Sequence, residues 1–138
     1  MLLVRILTFL ITLGISACEN SSVEHFDDWN GSDAEFRSSF RLKSTAELNN
    51  SAVLVNNDSG EPYTGVIHRK DDTKLTEQNY VDGLLNGKSI KSSSDGSWVE
   101  ANYANGKLHG EMKLFDSAGK LRSVMHYQNG IRVISEID

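Results

Sequence analysis

Few residues of this chain have the types and the spacing that metal binding or nucleophilic catalysis requires. A zinc site needs three or four convergent ligands, and the four histidines share no register along the chain: His25, His68, His109 and His126. His109 stands beside Gly110, in a position typical of a solvated turn. The serine run Ser92–Ser94 lacks the Gly-x-Ser-x-Gly motif of a nucleophile elbow. The sequence therefore predicts no metal site, no cofactor and no catalytic serine.

Carboxylates on predicted strands could in principle pair for acid–base chemistry, and there are three of them: Glu77, Glu100 and Glu111. Lysines lie among them along the chain, at positions 74, 88 and 113. Carboxylates and lysines on neighbouring strands usually form cross-strand charge pairs on a solvated face. We expect that arrangement here, and the sequence predicts no catalytic residue.

The only cysteine, Cys18, directly follows a segment with the layout of a secretory signal. Residues 1–17 contain one cation, then an apolar run and small residues, and the run is too short to span a bilayer comfortably. The segment Ile15-Ser16-Ala17-Cys18 resembles the lipobox of bacterial lipoproteins. The resemblance implies cleavage before Cys18 and acylation of its sulfur. The alternative is an ordinary signal peptide followed by a chance cysteine.

The predicted lipid anchor gives a location. Two or more acyl chains hold a protein stably to a bilayer, so the resemblance implies a lipid-anchored protein of the bacterial cell envelope. Glu19 stands where an aspartate would retain a lipoprotein in the inner membrane, which points to the outer membrane, facing the periplasm, in a bacterium with two membranes. Removal of residues 1–17 takes away the cation Arg5 and no acid, and changes the formal net charge from −5 to −6. This acidic charge argues against nucleic acid as a partner.

Between the anchor and the first repeat, the sequence predicts a tether and a helix. Residues 18–31 are rich in Ser, Asn and Asp, which predicts a flexible tether. Ser32-Asp33-Ala34-Glu35 has the form of a capping box and predicts a helix over residues 33–42, within a capping segment of residues 32–52. We interpret this helix as a lid over the open end of the first repeat. The alternative is a helix that binds a partner.

From residue 53 to residue 138 the chain repeats itself with a period of about 23 residues. Glycines recur at this spacing: Gly60, Gly83, Gly106 and Gly130. A tyrosine stands three residues before each of the last three: Tyr80, Tyr103 and Tyr127. The Asp-Gly and Asn-Gly pairs at these positions predict two-residue type I′ hairpin turns. Such a period indicates a stack of small units that bury their apolar faces only together.

Alternation along the predicted strands gives two sheet faces. Val99, Ala101 and Tyr103 fall on one side of their strand, and the other side has three different residues: Trp98, Glu100 and Asn102. Apolar and polar residues are imperfectly separated between the faces. This pattern favours a thin sheet with aromatic rings on both sides over the core of a closed sandwich.

The segment Tyr103–Phe115 resembles the bacterial variant of the MORN-repeat family, whose pattern is Tyr-x-x-Gly-x-Leu-x-Gly followed by a hairpin. The resemblance covers about residues 53–132, although the first repeat has Thr73 in the mid-turn glycine position. It implies an all-β fold, an elongated solenoid of successive antiparallel β-hairpins, with a short N-terminal helix. The residues to which it gives a structural role are Gly65, Tyr80, Gly83, Gly87, Tyr103, Gly106, Gly110, Tyr127 and Gly130.

Aromatic side chains are the best candidates for a binding surface, because rows of rings on a sheet face can form a recognition site. Outside the repeated Tyr-x-x-Gly motif there are three such candidates: Tyr63, Trp98 and Phe115. The alternative is that the aromatic rings stack between repeats and replace a thick core.

The predicted anchor and repeats, without a catalytic constellation, favour a non-enzymatic lipoprotein that presents a β-repeat module for protein interaction or envelope scaffolding. The family resemblance adds a second hypothesis, an antitoxin or immunity protein that neutralises a cognate toxin, because many bacterial proteins with this repeat variant bear an antitoxin-type name. A third hypothesis is phospholipid binding by the repeats. The net charge of −6 argues against it, because anionic headgroups repel an acidic protein.

Overall fold

The structure is a computed structural model that describes residues 28–44 and 52–134. The predicted signal segment, Cys18 and most of the predicted tether lie outside the described residues. The elements of the described part, in chain order, are β1 (Trp29–Gly31), α1 (Asp33–Ser39), β2 (Phe40–Ser44), β3 (Ala52–Asn56), β4 (Gly65–Asp71), β5 (Lys74–Val81), β6 (Leu84–Ser92), β7 (Trp98–Ala104), β8 (Lys107–Phe115), β9 (Leu121–Gln128) and β10 (Ile131–Val133).

Most of the described chain forms one open, eight-stranded sheet in the order β1-β4-β5-β6-β7-β8-β9-β10. From β4 to β10 each strand pairs antiparallel with the next in sequence, whereas β1 pairs parallel with β4. Strands β2 and β3 form a separate antiparallel pair. The prediction of a mostly β protein built from successive antiparallel hairpins, with one short helix, is confirmed.

Glycine turns join the hairpins as the repeat predicts. In the turn Asp82-Gly83 both residues have positive φ, 50° and 74°, and Asn105-Gly106 and Asn129-Gly130 have nearly the same values. Positive φ at both central residues is the requirement of a type I′ turn, which Asn, Asp and Gly meet at low cost. The glycine N–H of each turn also donates to a carbonyl of the preceding unit, at 2.8 Å in all three cases: Tyr63, Leu85 and Leu108.

A bulge interrupts the pairing at equivalent places in two repeats. The register shifts between Gln78 and Tyr80 in the β5–β6 pair, and between Ala101 and Tyr103 in the β7–β8 pair. The asparagine at each bulge donates from Nδ2 to a carbonyl of the neighbouring strand, Asn79 to Lys88 at 2.7 Å and Asn102 to Glu111 at 3.1 Å. These amides replace ladder hydrogen bonds that a bulge removes.

Helix α1 begins as predicted but ends earlier. The Ser32 Oγ accepts from the Glu35 N–H at 3.2 Å, and the Ser32 N–H donates to Glu35 Oε2 at 2.8 Å, so the capping box is present. The helix ends at Ser39, not at residue 42. Phe40 is already extended and begins β2, because residues 40–44 gain the backbone hydrogen bonds of pairing with β3.

Two predicted boundaries also change. Residues 29–31 were predicted to end a flexible tether, yet they form β1 and pair with Ile67–Arg69 of β4. The predicted repeat domain began at residue 53, but β3 pairs with β2, and the next strand that belongs to the large sheet is β4, which begins at Gly65. We call residues 29–64 of the described part the cap.

The buried core lies between the cap and the first strands of the sheet. Phe40, Leu54, Tyr63 and Ile67 are buried, and Trp29, Phe36 and Tyr80 pack against them. The rings meet mostly edge to face, with a centroid separation of 4.9 Å between Phe40 and Tyr63. The interpretation of α1 as a lid over the first repeat agrees with this packing, since Phe36 lies on the cluster and Arg69 of β4 lies over its ring.

Candidate functional site: a trough on one sheet face

The register of the large sheet separates two faces. We call face A the side that carries the repeat tyrosines, and face B the side that carries Trp98 and Glu100. On face A each tyrosine stands directly opposite a glycine of the preceding strand, in the pairs Gly65/Tyr80, Gly87/Tyr103 and Gly110/Tyr127. A glycine leaves room for the ring on the neighbouring strand, so the tyrosines form one row across the sheet. Burial raises the pKa of both Tyr80 and Tyr103, so these phenols ionise only above the ordinary value of about 10.

Face B holds the carboxylates that could have served acid–base chemistry. Lys88 Nζ lies 3.1 Å from Glu100 Oε2 across the β6–β7 pair, and His68 Nδ1 lies 3.5 Å from a Glu77 oxygen across the β4–β5 pair. The predicted pairing of a carboxylate with a lysine across strands is therefore confirmed for Glu100, whereas the neighbour of Glu77 across the strands is a histidine. The hydrogen bond that Glu100 accepts from Lys88 lowers the pKa of Glu100. This carboxyl is therefore ionised at neutral pH and poorly suited to act as a general acid.

The Glu111 pair differs from the prediction in one respect. Its oxygen lies 2.6 Å from Lys113 Nζ, which belongs to the same strand, two residues along. The hydrogen bond with Lys113 lowers the pKa of Glu111. The two side chains share face B because alternate residues of a strand point to the same side.

Trp98 and Phe115 also lie on face B, where they stack against each other. The two residues are register partners on β7 and β8, with ring centroids 4.7 Å apart and planes 10° from parallel. Trp98 Nε1 donates to Glu100 Oε1 at 3.4 Å. The contact is the stacking between neighbouring strands that we considered as the alternative to a binding surface, and both rings stay partly exposed.

Tyr63, the third aromatic candidate, is not on an exposed surface. Its side chain is only 9% exposed and lies in the core cluster, between Phe40 and Tyr80. Tyr63 belongs to the cap and packs inward, so its ring contributes to the core and not to an exposed surface of the described part. Its proximity to Phe40 depends on residues 23 positions apart and has no signal in the local sequence.

A trough crosses face A beyond the cap. Its floor is a row of register partners on β5 to β8, which are Gln78, Ser89, Ala101 and Met112. Ser89 and Ala101 are small and only 7% and 5% exposed, and larger side chains stand on both sides of them: Tyr103 on one side, Lys91 and Val99 on the other. The cavity has a volume of about 330 Å³, within the lower range of ligand sites.

A second, polar pocket of about 180 Å³ lies next to the trough, beside the cap. Lys91 lines both cavities. The pocket brings together basic, acidic and hydroxyl side chains from α1, β4, β5 and β6: Asp33, Arg69, Asp71, Lys74, Thr76, Lys91 and Ser92. We call it the basic pocket, since three of these side chains are cations and two are carboxylates. Trough and pocket together could hold an extended ligand with a polar end and an apolar body.

The sequence did not reveal the trough, although some of its elements could have been read from the repeat. Ala101 was correctly placed on the side opposite Trp98, and Ser89 falls at the matching place of the preceding strand. The asparagines of the bulges had a clearer signal, because Asn79 and Asn102 each directly precede a repeat tyrosine at the same 23-residue spacing.

Within the described ranges, no three His, Cys, Asp or Glu side chains are grouped so that they could hold a metal ion. The helix of that part of the chain is too short to cross a membrane. No family model, no curated protein and no solved structure matches this chain.

Proposed function

We propose that this protein is a non-enzymatic, lipid-anchored module of the bacterial envelope, and that the trough on face A binds a segment of a protein partner. The observation that supports the proposal most is the trough itself. Its floor contains the small residues Ser89 and Ala101, and it lies on a single-layered sheet that the cap covers only at the first strands. In this proposal the hairpins form a short MORN-like solenoid that acts as a scaffold. Large exposed faces of repeat sheets are common binding surfaces.

The dimensions and the lining of the trough suit an extended peptide. Its floor crosses from β5 to β8, which is three strand spacings of about 4.8 Å, or about 14 Å. An extended chain rises about 3.4 Å per residue, so about four residues would fill it. The lining combines apolar groups such as Val99 and Met112 with the polar groups of Gln78 and Ser89. Such a mixture suits a peptide, because the apolar groups can contact its side chains and the polar groups its backbone.

The chemistry of face B supports a binding role over a catalytic one. Glu100 and Glu111 are held ionised by lysines, and each is already engaged in an ion pair. A general acid needs a pKa near the working pH, and these hydrogen bonds move both pKa values in the opposite direction.

Membrane attachment rests on the lipobox and has its own test. We expect the wild-type protein to partition into the detergent phase and the Cys18→Ala variant to remain in the aqueous phase, because at least two acyl chains are lost. Equal partitioning of the two proteins would refute the anchor and leave the trough unaffected.

Site-specific photocrosslinking tests the trough as the binding surface. Met112 and Lys113 are neighbours on β8, both half-buried, and lie on opposite faces. A benzophenone amino acid at position 112, in cells of the source organism, is expected to give a discrete protein adduct. The same group at position 113 is the matched control and should give none. An adduct from position 113 alone, or from neither, would overturn the trough proposal. The antitoxin and phospholipid hypotheses stay predictions from the sequence.

A further inference from the structure

The basic pocket contains cations that are arranged differently from those of face B. Arg69, Thr76 and Lys91 are register partners on three adjacent strands of face A. The hydroxyl of Thr76 therefore lies between two cationic side chains, with about 5 Å between neighbouring Cβ atoms. On face B the equivalent positions alternate in sign, as where Glu100 stands opposite Lys113. A hydroxyl with one cation on each side is an arrangement that suits an anion.

The lysines of this pocket have no carboxylate partner within ion-pair distance among the described residues. Lys88 and Lys113 on face B each lie within 3.1 Å of a carboxylate oxygen. Neither Lys91 nor Lys74 makes such a contact in the described part of the chain, although Asp71 is the register partner of Lys74. Asp71 instead accepts the backbone N–H of Asp33 at 3.1 Å. The free charge of the pocket is therefore positive in a protein whose net charge is −5.

Arg69 is held in place beside these lysines. Its Nη1 lies 3.3 Å from Asp33 Oδ1, its Nη2 donates to Gln78 Oε1 at 3.0 Å, and its guanidinium lies 4.4 Å above the centre of the Phe36 ring. Its Nε is buried and has no hydrogen-bond partner among the described residues. A buried donor without an acceptor is costly, and Arg69 lines the basic pocket with this donor unused by the described residues.

We propose that the basic pocket binds the free carboxyl terminus of the partner segment, with the last residues of that segment extending along the trough. This inference rests on the proposed function, because it specifies which part of a protein the trough receives. The carboxylate lies over Thr76, between Lys91 and Arg69, and the apolar side chains of the segment lie over Ala101 toward Met112.

The charge of the pocket favours a carboxylate over a phosphate. Three cations and two carboxylates give a formal charge of +1, which a single monoanion balances. A phosphate group carries a charge near −2 at neutral pH, and the carboxylates of Asp33 and Asp71 would repel the excess. The trough is apolar at Val99 and beyond it, so the site should prefer a ligand with an apolar chain next to the anionic group.

The experiment uses the full-length protein in detergent micelles and a peptide library with four random C-terminal residues. The library is prepared once with free carboxyl termini and once as amides. We expect selection of peptides with apolar C-terminal residues from the free-acid library, and binding at least about tenfold weaker for the amides of the selected peptides. The Lys91→Gln variant is expected to lose a similar factor, because it removes one of the two cations that flank the carboxylate.

The matched control is Lys88→Gln, which removes another exposed lysine from the same strand but on face B. It should bind the selected peptides as the wild type does, and unfolding curves of both variants check that each is folded. Equal affinity for free acids and amides, or equal loss in both variants, would overturn the inference.

Two further outcomes separate this inference from the proposed function. If octanoate displaces the selected peptides at their own concentration, the pocket binds small carboxylates and the peptide assignment is wrong. If neither library binds while position 112 still crosslinks to a partner, the carboxyl-terminus inference fails and the trough proposal stands.

Discussion

The three type I′ turn glycines are equivalent in the sequence but not in the structure, and substitution by alanine measures the difference. Gly83, Gly106 and Gly130 have φ of 74°, 76° and 85°. A Cβ on Gly83 would lie 2.5 Å from the carbonyl oxygen of Leu54 and would also collide with Val53 Cγ1. A Cβ on Gly106 would meet only the Leu84 side chain, at 3.4 Å from Cδ2 and 3.9 Å from Cβ. We expect Gly83→Ala to destabilise the protein much more than Gly106→Ala.

The magnitude follows from two contributions. Left-handed backbone costs a residue with a Cβ about 1–2 kcal/mol, partly offset because alanine reduces the entropy of the unfolded chain by about 0.4–1 kcal/mol. Gly106→Ala should therefore cost about 1 kcal/mol. At Gly83 a collision with backbone adds about 1–3 kcal/mol of overpacking. It also strains two hydrogen bonds of 2.8 Å, from the Leu54 N–H to the Gly83 carbonyl and from the Gly83 N–H to the Tyr63 carbonyl. A total of about 3 kcal/mol is expected.

Urea unfolding followed by circular dichroism is the assay. With a slope of about 2 kcal/mol per molar urea, the two variants should differ in midpoint by about 1 M. Gly130→Ala is the second control, since its Cβ would meet only Lys107 Cβ, at 3.9 Å, and it should behave like Gly106→Ala. Equal midpoints for all three variants would show that β3 does not press on the first repeat turn, and would refute the described cap.

Three other predictions concern groups on the two faces. Glu100→Gln should lower the free energy of unfolding by up to about 1 kcal/mol at neutral pH. Because Lys88 lowers the pKa of Glu100 in the folded protein, the difference in stability between variant and wild type should vanish as the pH falls through that pKa. A difference that stays the same in acid would contradict this. Because burial raises the pKa of Tyr80, its phenol should titrate above the ordinary value of about 10 and stability should fall above that pH. In an absorbance titration, Tyr80→Phe should remove a late step, and loss of an early one would be the opposite result. A double-mutant cycle of Trp98→Ala and Phe115→Ala should give a coupling of about 0.5–1.5 kcal/mol for the stacked rings, whereas additive losses would speak against the stack.

Features set by a few neighbouring residues could be predicted from the sequence. The type I′ turns depend on two residues each, and the capping box on Ser32 and Glu35, so their geometry follows from short-range rules. The charge pair Lys88/Glu100 also follows, because alternation and hairpin register place the two residues side by side. The mostly β, hairpin-built fold was predictable for the same reason.

Features that depend on packing between distant segments could not be predicted. Phe40 stands at helical spacing from Phe36, yet it leaves the helix because β3 offers its backbone a partner. Trp29–Gly31 have the composition of a tether, yet they add a parallel strand to β4. Tyr63 was a candidate for a binding surface and is buried between Phe40 and Tyr80. In each case a nonlocal contact overrode the local pattern.

The sequence by itself determined the repeated hairpin, its turns and the alternation of its faces, because these depend on backbone preferences and on side chains that are close along the chain. The tertiary structure decided where the sheet is covered and where it is open. The cap buries the first strands and makes Gly83 unlike its two counterparts. Beyond the cap lies a trough with small residues on its floor. The neighbouring basic pocket brings Arg69, Thr76 and Lys91 together because three strands align in register.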